Sequence, residues 1–190
     1  VLFSVLLGGV SHESGEEVAI EQKSEITSLL ASIRATSPEI EFVSPVVVPA
    51  GISATAVLVK DLFAAEPMLA VNTDQQWPLA SLTKLMTAAV TLEKIGINQE
   101  IIVSENAVAT EGIAGGLSAG KTYPVRELIN VLMGVSSNDA AMALAESYGV
   151  KRFVATMNSR AGNIGMLDTV FADPTGLTSL NQSNVLDLEK

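Results

Sequence analysis

One punctuated amphipathic helix constrains this chain more than any other feature. After Ser81, the apolar residues Leu82, Leu85, Met86, Ala89, Val90, Leu92 and Ile95 recur at close to helical period. Pro78 precedes the run and Gly96 follows it, so both ends carry a stop signal. The same segment sets a serine where the helix should begin and a lysine one turn later. Residues three apart lie on one helix face, so the Ser81 hydroxyl and the Lys84 amine can meet. A serine is a poor nucleophile at neutral pH until a nearby base takes its proton. Ser81 and Lys84 are therefore a candidate nucleophile and base.

The four-residue spacing alone is weak evidence, because Ser118-Ala119-Gly120-Lys121 repeats it. Ser118 sits among Gly115, Gly116 and Gly120, with Tyr123-Pro124 directly after its lysine, so no helix fixes that pair on one face. The same stretch matches the phosphate-loop pattern G-x-x-x-x-G-K-[ST] from Gly115 to Thr122. That motif needs a core strand before it and a helix starting at its lysine. Ala109-Thr110-Glu111-Gly112 makes a poor core strand, and Pro124 interrupts a helix in its first turn. The stretch reads instead as a loop rimming a cleft.

Composition narrows the chemistry further. The chain is long enough for one well-buried domain with a remainder. Acidic residues outnumber basic ones by 21 to 11, for a net charge of −10. Phosphate binding needs clustered Lys and Arg, so nucleic acid is not an expected partner. There is no cysteine, hence no disulfide framework and no thiolate metal site. His12 is the single histidine and lies in a polar segment near the terminus, so a serine enzyme built from this chain needs lysine as its base.

The chain divides into three parts. Residues 1–10 form an apolar run too short to span a bilayer, expected to be the end of an export signal or membrane anchor. Residues 11–51 form an acidic spacer with partial helical register, broken at Pro38, Pro45 and Pro49. Residues 52–190 form the folded domain. Ala54–Leu62 and Met68–Val71 read as a strand hairpin, and Glu100–Val103 as a further short strand. Val125–Val135, Asp139–Tyr148 and Lys151–Ala161 read as helices, and Asp173-Pro174-Thr175-Gly176 as a turn. Strands first and then mostly helices is an α+β order.

A second serine adds what a serine–lysine pair lacks. Ser136-Ser137-Asn138 lies between two of these helices, where short side chains can project into a cleft. Ser136 offers a hydroxyl to relay protons and Asn138 an amide to grip a peptide. The S-x-N spacing also occurs at Ser104-Glu105-Asn106 and Ser179-Leu180-Asn181. Asn138 or Asp139 serving as an ordinary helix cap accounts for the residues equally well.

S-x-x-K followed by S-x-N resembles the signature of penicillin-binding proteins and serine β-lactamases. The wider pattern is similar to the D-alanyl-D-alanine carboxypeptidases, the low-molecular-mass penicillin-binding proteins. Ala80 to Ala88 resembles the nucleophile segment of that family. Ser136-Ser137-Asn138-Asp139-Ala140-Ala141 resembles its second motif, with Ser137 where glycine or alanine is usual. Gly120 to Leu128, Phe153 to Asn158 and Phe171 to Leu177 are similar to its other segments. The resemblance runs from about Ala54 to the end. It implies a β-lactamase/transpeptidase-like α+β fold, an antiparallel sheet flanked by helices. It also implies a third motif, Lys-Thr-Gly, downstream of the second, and no such triplet follows Asn138 in this sequence. The expectation is a catalytic domain cut short before its last strands.

The resemblance implies acyl transfer. Lys84 would deprotonate Ser81, which attacks the carbonyl between two D-alanines of a peptidoglycan stem peptide. Ser136 would pass a proton to the leaving alanine, Asn138 would hold the substrate amide, and water would release the acyl-enzyme. β-Lactams would be covalent inhibitors, no metal or organic cofactor is called for, and the site would act outside the cytoplasm, with membrane association through the N-terminus. A β-lactamase would need a deacylating carboxylate after the second motif, and neither Glu146 nor Glu189 has the expected context. A wall endopeptidase and a non-catalytic wall-binding module are the other readings.

Overall fold

The computed structural model describes residues 53–190 apart from Leu62 and Ile113. The expectations for residues 1–10 and 11–51 lie outside the described residues. The order of elements is α+β, as expected. The first hairpin pairs β1 (Val57–Val59) with β2 (Leu69–Val71) antiparallel, with Leu58 opposite Ala70. β3 (Trp77–Pro78) leads into a 3-10 turn at Ala80–Leu82 and then α1 (Thr83–Lys94). β4 (Glu100–Ile102) and α2 (Glu105–Val108) follow, then β5 (Thr122–Pro124). Three helices come next: α3 (Val125–Gly134), α4 (Asn138–Tyr148) and α5 (Val150–Asn163). β6 (Gln182–Ser183) and α6 (Val185–Leu188) complete the chain.

Every strand pairing among the described residues is antiparallel, in three two-stranded ladders rather than one continuous sheet: β1 with β2, β3 with β6, and β4 with β5. The β4–β5 ladder uses Tyr123-Pro124, the dipeptide that denies a helix to the glycine loop. Pro124 has no N–H to give a ladder, so the strand stops there and α3 begins at the next residue. Val125 then donates its amide to the Gln99 carbonyl at 2.9 Å. Lys121 directly precedes β5 and no helix starts at it, which removes the phosphate-loop geometry.

α4 is the centre of the helical part. Ala140, Ala141, Ala143, Leu144 and Ala145 are buried, and small side chains let neighbouring helices come close. One core cluster joins this helix to Leu128 and Leu132 of α3 and to Ile101, Val103 and Ala107. A second joins Met86 and Val90 of α1 to Phe153, Met157 and Ala161 of α5, with Phe171 beside them. Each fully buried leucine or phenylalanine here contributes about 1.5–3 kcal/mol relative to exposure. Together the clusters fix α1 against α3, α4 and α5, and so fix Ser81 and Lys84 relative to Ser136.

The α1 helix forms where its period and its punctuation place it, but its buried face differs from the apolar stripe. Leu82, Leu85 and Leu92 are about half exposed, while Thr83, Thr87 and Thr91 are fully buried, one turn apart. Threonine can be buried because each hydroxyl finds a partner. Thr87 Oγ1 donates to the Pro174 carbonyl at 2.6 Å, Thr91 Oγ1 to the Thr87 carbonyl, and Thr83 Oγ1 accepts from Asn181.

Candidate active site

Ser81 is set up by strained backbone. Ala80, the residue before it, has φ +45°, a left-handed conformation that costs an L-residue about 1–2 kcal/mol. Leu79 is anchored by its N–H to the Asn181 carbonyl at 2.8 Å. The 3-10 turn then presents the Ser81 side chain at the surface while Lys84, one turn on, keeps 3% exposure.

Three of the four expected side chains meet. Ser81 Oγ lies 3.3 Å from Lys84 Nζ and 2.8 Å from Ser136 Oγ, accepting from both. Ser136 occupies the corner between α3 and α4 with φ +59°, a second strained non-glycine residue at the same point. Of the three described non-glycine residues with left-handed backbone, Asn72, Ala80 and Ser136, two adjoin Ser81. Asn138 is buried in the first turn of α4 and gives one of its amide hydrogens to the Glu111 carbonyl at 2.7 Å.

Neither Asn138 nor Asp139 caps α4. Ser137 does, accepting from the Ala140 N–H at 2.9 Å, and its hydroxyl also donates to Asp139. Ser137 thus starts the helix that carries Asn138. Asp139 in turn receives the Gly115 N–H on both carboxylate oxygens, at 2.8 and 2.9 Å. Gly115 has no room for a side chain: a Cβ would stand 2.2 Å from Val131 Cγ1.

The lysine has a second, closer partner that local sequence reasoning missed. Lys84 Nζ donates to the Thr175 carbonyl at 2.7 Å. Burial pushes the amine below the ordinary lysine value of 10.5, and the Asp173 carboxylate pulls it partly back. Burial pushes the Asp173 carboxyl up, but four hydrogen bonds more than offset this and hold it below the usual range. They come from the Thr175 hydroxyl and the N–H groups of Thr178, Gly176 and Thr175. The Asp-Pro-Thr-Gly turn is visible in the sequence as a turn; its place against the lysine is not.

A cleft of about 360 Å³ opens beside Ser81, walled by Leu82, Leu85, Leu132 and Met133 with Ser136 at its edge. A neighbouring groove of about 320 Å³ runs along Trp77 to Leu79 and is lined by no titratable side chain. A hydroxyl between a desolvated amine and a second hydroxyl, at the mouth of an apolar cleft, is equipped for nucleophilic acyl transfer. Among the described residues, no group of three or more His, Asp or Glu side chains is placed to hold a metal ion. No described helix is long and apolar enough to cross a membrane.

The sequence profile of peptidase family S11, D-alanyl-D-alanine carboxypeptidase, matches residues 44–188. The chain belongs to this D-alanyl-D-alanine carboxypeptidase family. The match starts inside the stretch read from composition as spacer. The chain is 34% identical over 138 residues to a D-alanyl-D-alanine endopeptidase of Pseudomonas aeruginosa, covering 70% of this chain and 44% of that protein. It is 34% identical over 114 residues to the D-alanyl-D-alanine carboxypeptidase DacF of Bacillus subtilis, covering 56% of this chain and 29% of that one. The fold is similar to the crystal structure of the D-alanyl-D-alanine carboxypeptidase from Mycobacterium tuberculosis, with a TM-score of 0.68 and 29% identity. That similarity covers 71% of this chain and 53% of the other. The chain spans less than half the length of these two relatives. Family membership agrees with the penicillin-binding, transpeptidase-like α+β fold expected from the sequence.

Proposed function

We propose that this chain carries the nucleophile and base of a serine-type D-alanyl-D-alanine carboxypeptidase acting on peptidoglycan stem peptides outside the cytoplasm. The observation that carries the reading is the position of Ser81 Oγ, between Lys84 Nζ at 3.3 Å and Ser136 Oγ at 2.8 Å. With Lys84 neutral, the contact reverses and Ser81 gives its proton to the amine as its oxygen attacks the carbonyl between two D-alanines. The collapse of the tetrahedral adduct breaks the peptide bond, and Ser136 relays to the departing D-alanine nitrogen the proton that Lys84 took from Ser81, so that Lys84 is again neutral and Ser136 keeps its hydroxyl. Water then attacks the ester on Ser81 and frees both acid and enzyme. Asn138, with one amide hydrogen on Glu111, keeps its other polar capacity for the substrate backbone. A β-lactam enters the same route and stays as an ester on Ser81.

The endopeptidase reading has an observation of its own, since relatives from Pseudomonas aeruginosa and Haemophilus influenzae carry that name at 34% and 38% identity. Both readings share the acyl-enzyme. The test is labelled penicillin with intact-mass and peptide mapping, followed by release of D-alanine from a pentapeptide against cleavage of a cross-linked dimer. Wild type is expected to carry one adduct on Ser81, and Ser81→Ala none. An adduct that persists on Ser81→Ala, or none on wild type, overturns the assignment.

A further inference from the structure

The third S-x-N copy, Ser179-Leu180-Asn181, has no part in the chemistry above, yet its Asn181 is fully buried. Its side chain uses every hydrogen-bonding capacity an amide has. Oδ1 accepts from the N–H of Ala172 at 2.6 Å and of Asp173 at 3.1 Å. Nδ2 donates to the Asp173 carbonyl at 3.0 Å and to Thr83 Oγ1 at 2.9 Å. Its backbone carbonyl accepts from Leu79. One residue therefore holds the chain two positions before Ser81, two positions after it, and the start of the turn that carries Thr175.

We propose that Asn181 is a positioning residue for Lys84: it fixes the Asp173–Gly176 turn against α1 so that the Thr175 carbonyl receives the lysine Nζ. The inference rests on the reading of Lys84 as base. The Nζ contact to Thr175 is shorter than the one to Ser81, so the carbonyl sets where the amine sits. That carbonyl belongs to a turn whose Asp173 carboxylate ties it internally, while two side chains tie it to α1: Thr87 through the Pro174 carbonyl, and Asn181, which joins the Asp173 carbonyl to Thr83. A carboxamide of this length makes all four bonds: aspartate lacks the two donors, and leucine can make none of the four. Asn181 touches no reacting atom and acts through the turn.

Asp173 is the charged side chain that acts on Lys84, and burial outweighs it. Loosening the turn admits water to the amine and should move its titration up, toward that of an exposed lysine. The test is the pH titration of the Lys84 Nζ signal by ¹⁵N-detected NMR on the full chain, for wild type, Asn181→Leu and Thr83→Val. Thr83→Val keeps three of the four amide bonds and close to the native volume, so it decides the matter if Asn181→Leu does not fold. The expected result is an upward move in both variants, smaller in Thr83→Val. Acylation by penicillin should fall roughly 10²-fold in Asn181→Leu with little change in non-covalent affinity, the size a displacement of about 1 Å produces. A Lys84 titration unchanged or lowered in folded Thr83→Val overturns the proposal. The titration needs no acylation, so failure of the peptidase reading shows separately, as absence of an adduct on the wild-type chain.

Discussion

Gly176 stands directly against the carbonyl of Ala80. A Cβ built on this glycine would lie 1.9 Å from the Ala80 oxygen, and its φ of +85° is one that side chains avoid. The turn beside the lysine and the strained residue ahead of the serine are thus in backbone contact, with no side chain between them. Ala80 holds φ +45° next to a surface it cannot cross.

Gly176→Ala should therefore damage both stability and geometry. The left-handed backbone alone costs about 1–2 kcal/mol, and relieving the overlap requires the turn or Ala80 to move. A loss of at least about 2 kcal/mol in urea unfolding is expected, together with slower acylation of Ser81. A loss under 1 kcal/mol with normal acylation would mean that the turn backs away freely and does not brace the nucleophile.

Ser136 allows stability and chemistry to be separated. Its φ of +59° is relieved by glycine and retained by alanine. Both substitutions remove the hydroxyl 2.8 Å from Ser81. Ser136→Gly should be as stable as Ser136→Ala or more so in urea unfolding, by up to about 1 kcal/mol. Both should lose about 10² to 10⁴ in acylation rate, the usual worth of a positioned proton-transfer group. Equal acylation by wild type and Ser136→Gly would remove Ser136 from the mechanism.

The lowered Lys84 titration has two consequences of known sign. In the proposed mechanism a neutral amine accepts the serine proton, so acylation should rise with pH through the folded value of Lys84. That value lies below the ordinary 10.5. For stability, the unfolded chain binds more protons than the folded one between those two values. Stability should therefore increase with pH across that window, and the cost of burying the charge is fully present below it. Lys84→Met should flatten that rise and abolish acylation. Asp173 works in the opposite region. Its depressed carboxyl adds stability above the ordinary value of 3.8, and this is lost as pH falls through the folded value. Acylation and urea midpoints measured across pH check both signs; an acylation limb at or above 10.5 contradicts the first.

Much of this site was legible because its spacings are short and its helix is punctuated. Ser81 and Lys84 are three apart, Pro78 and Gly96 bound the helix, and Ser136 falls in a gap between two periodic runs. What the period missed was polar burial. Hydropathy ranks Leu82, Leu85 and Leu92 inside, yet Thr83, Thr87 and Thr91 are the buried ones, because their hydroxyls reach partners such as the Pro174 carbonyl. Asn181 was invisible for the same reason: Thr83, one of its partners, is 98 residues away. A four-point amide network has no local signature, and its three-residue spacing is shared with two other segments. Strand pairing of Trp77–Pro78 with Gln182–Ser183 is equally non-local.

A β-lactamase would need a deacylating carboxylate. Glu146 follows the second motif on α4, but both of its oxygens are occupied. Ser104 Oγ donates to one and Asn106 Nδ2 to the other, while Ser104 also caps α2 by accepting from the Ala107 N–H at 2.9 Å. The residues of the first spare S-x-N copy thus tie α2 to α4 through Glu146. A carboxylate spent this way holds structure and does not activate water. Glu146→Gln keeps one acceptor and loses the charge. It should lower the unfolding free energy by about 1–3 kcal/mol, the worth of hydrogen bonds to a charged group. The lifetime of the penicilloyl adduct on Ser81 should stay within about twofold, well short of the 10²-fold or larger loss expected when a general base is removed. A tenfold or longer lifetime in a variant of normal stability would make Glu146 the deacylating base and turn the reading toward a β-lactamase.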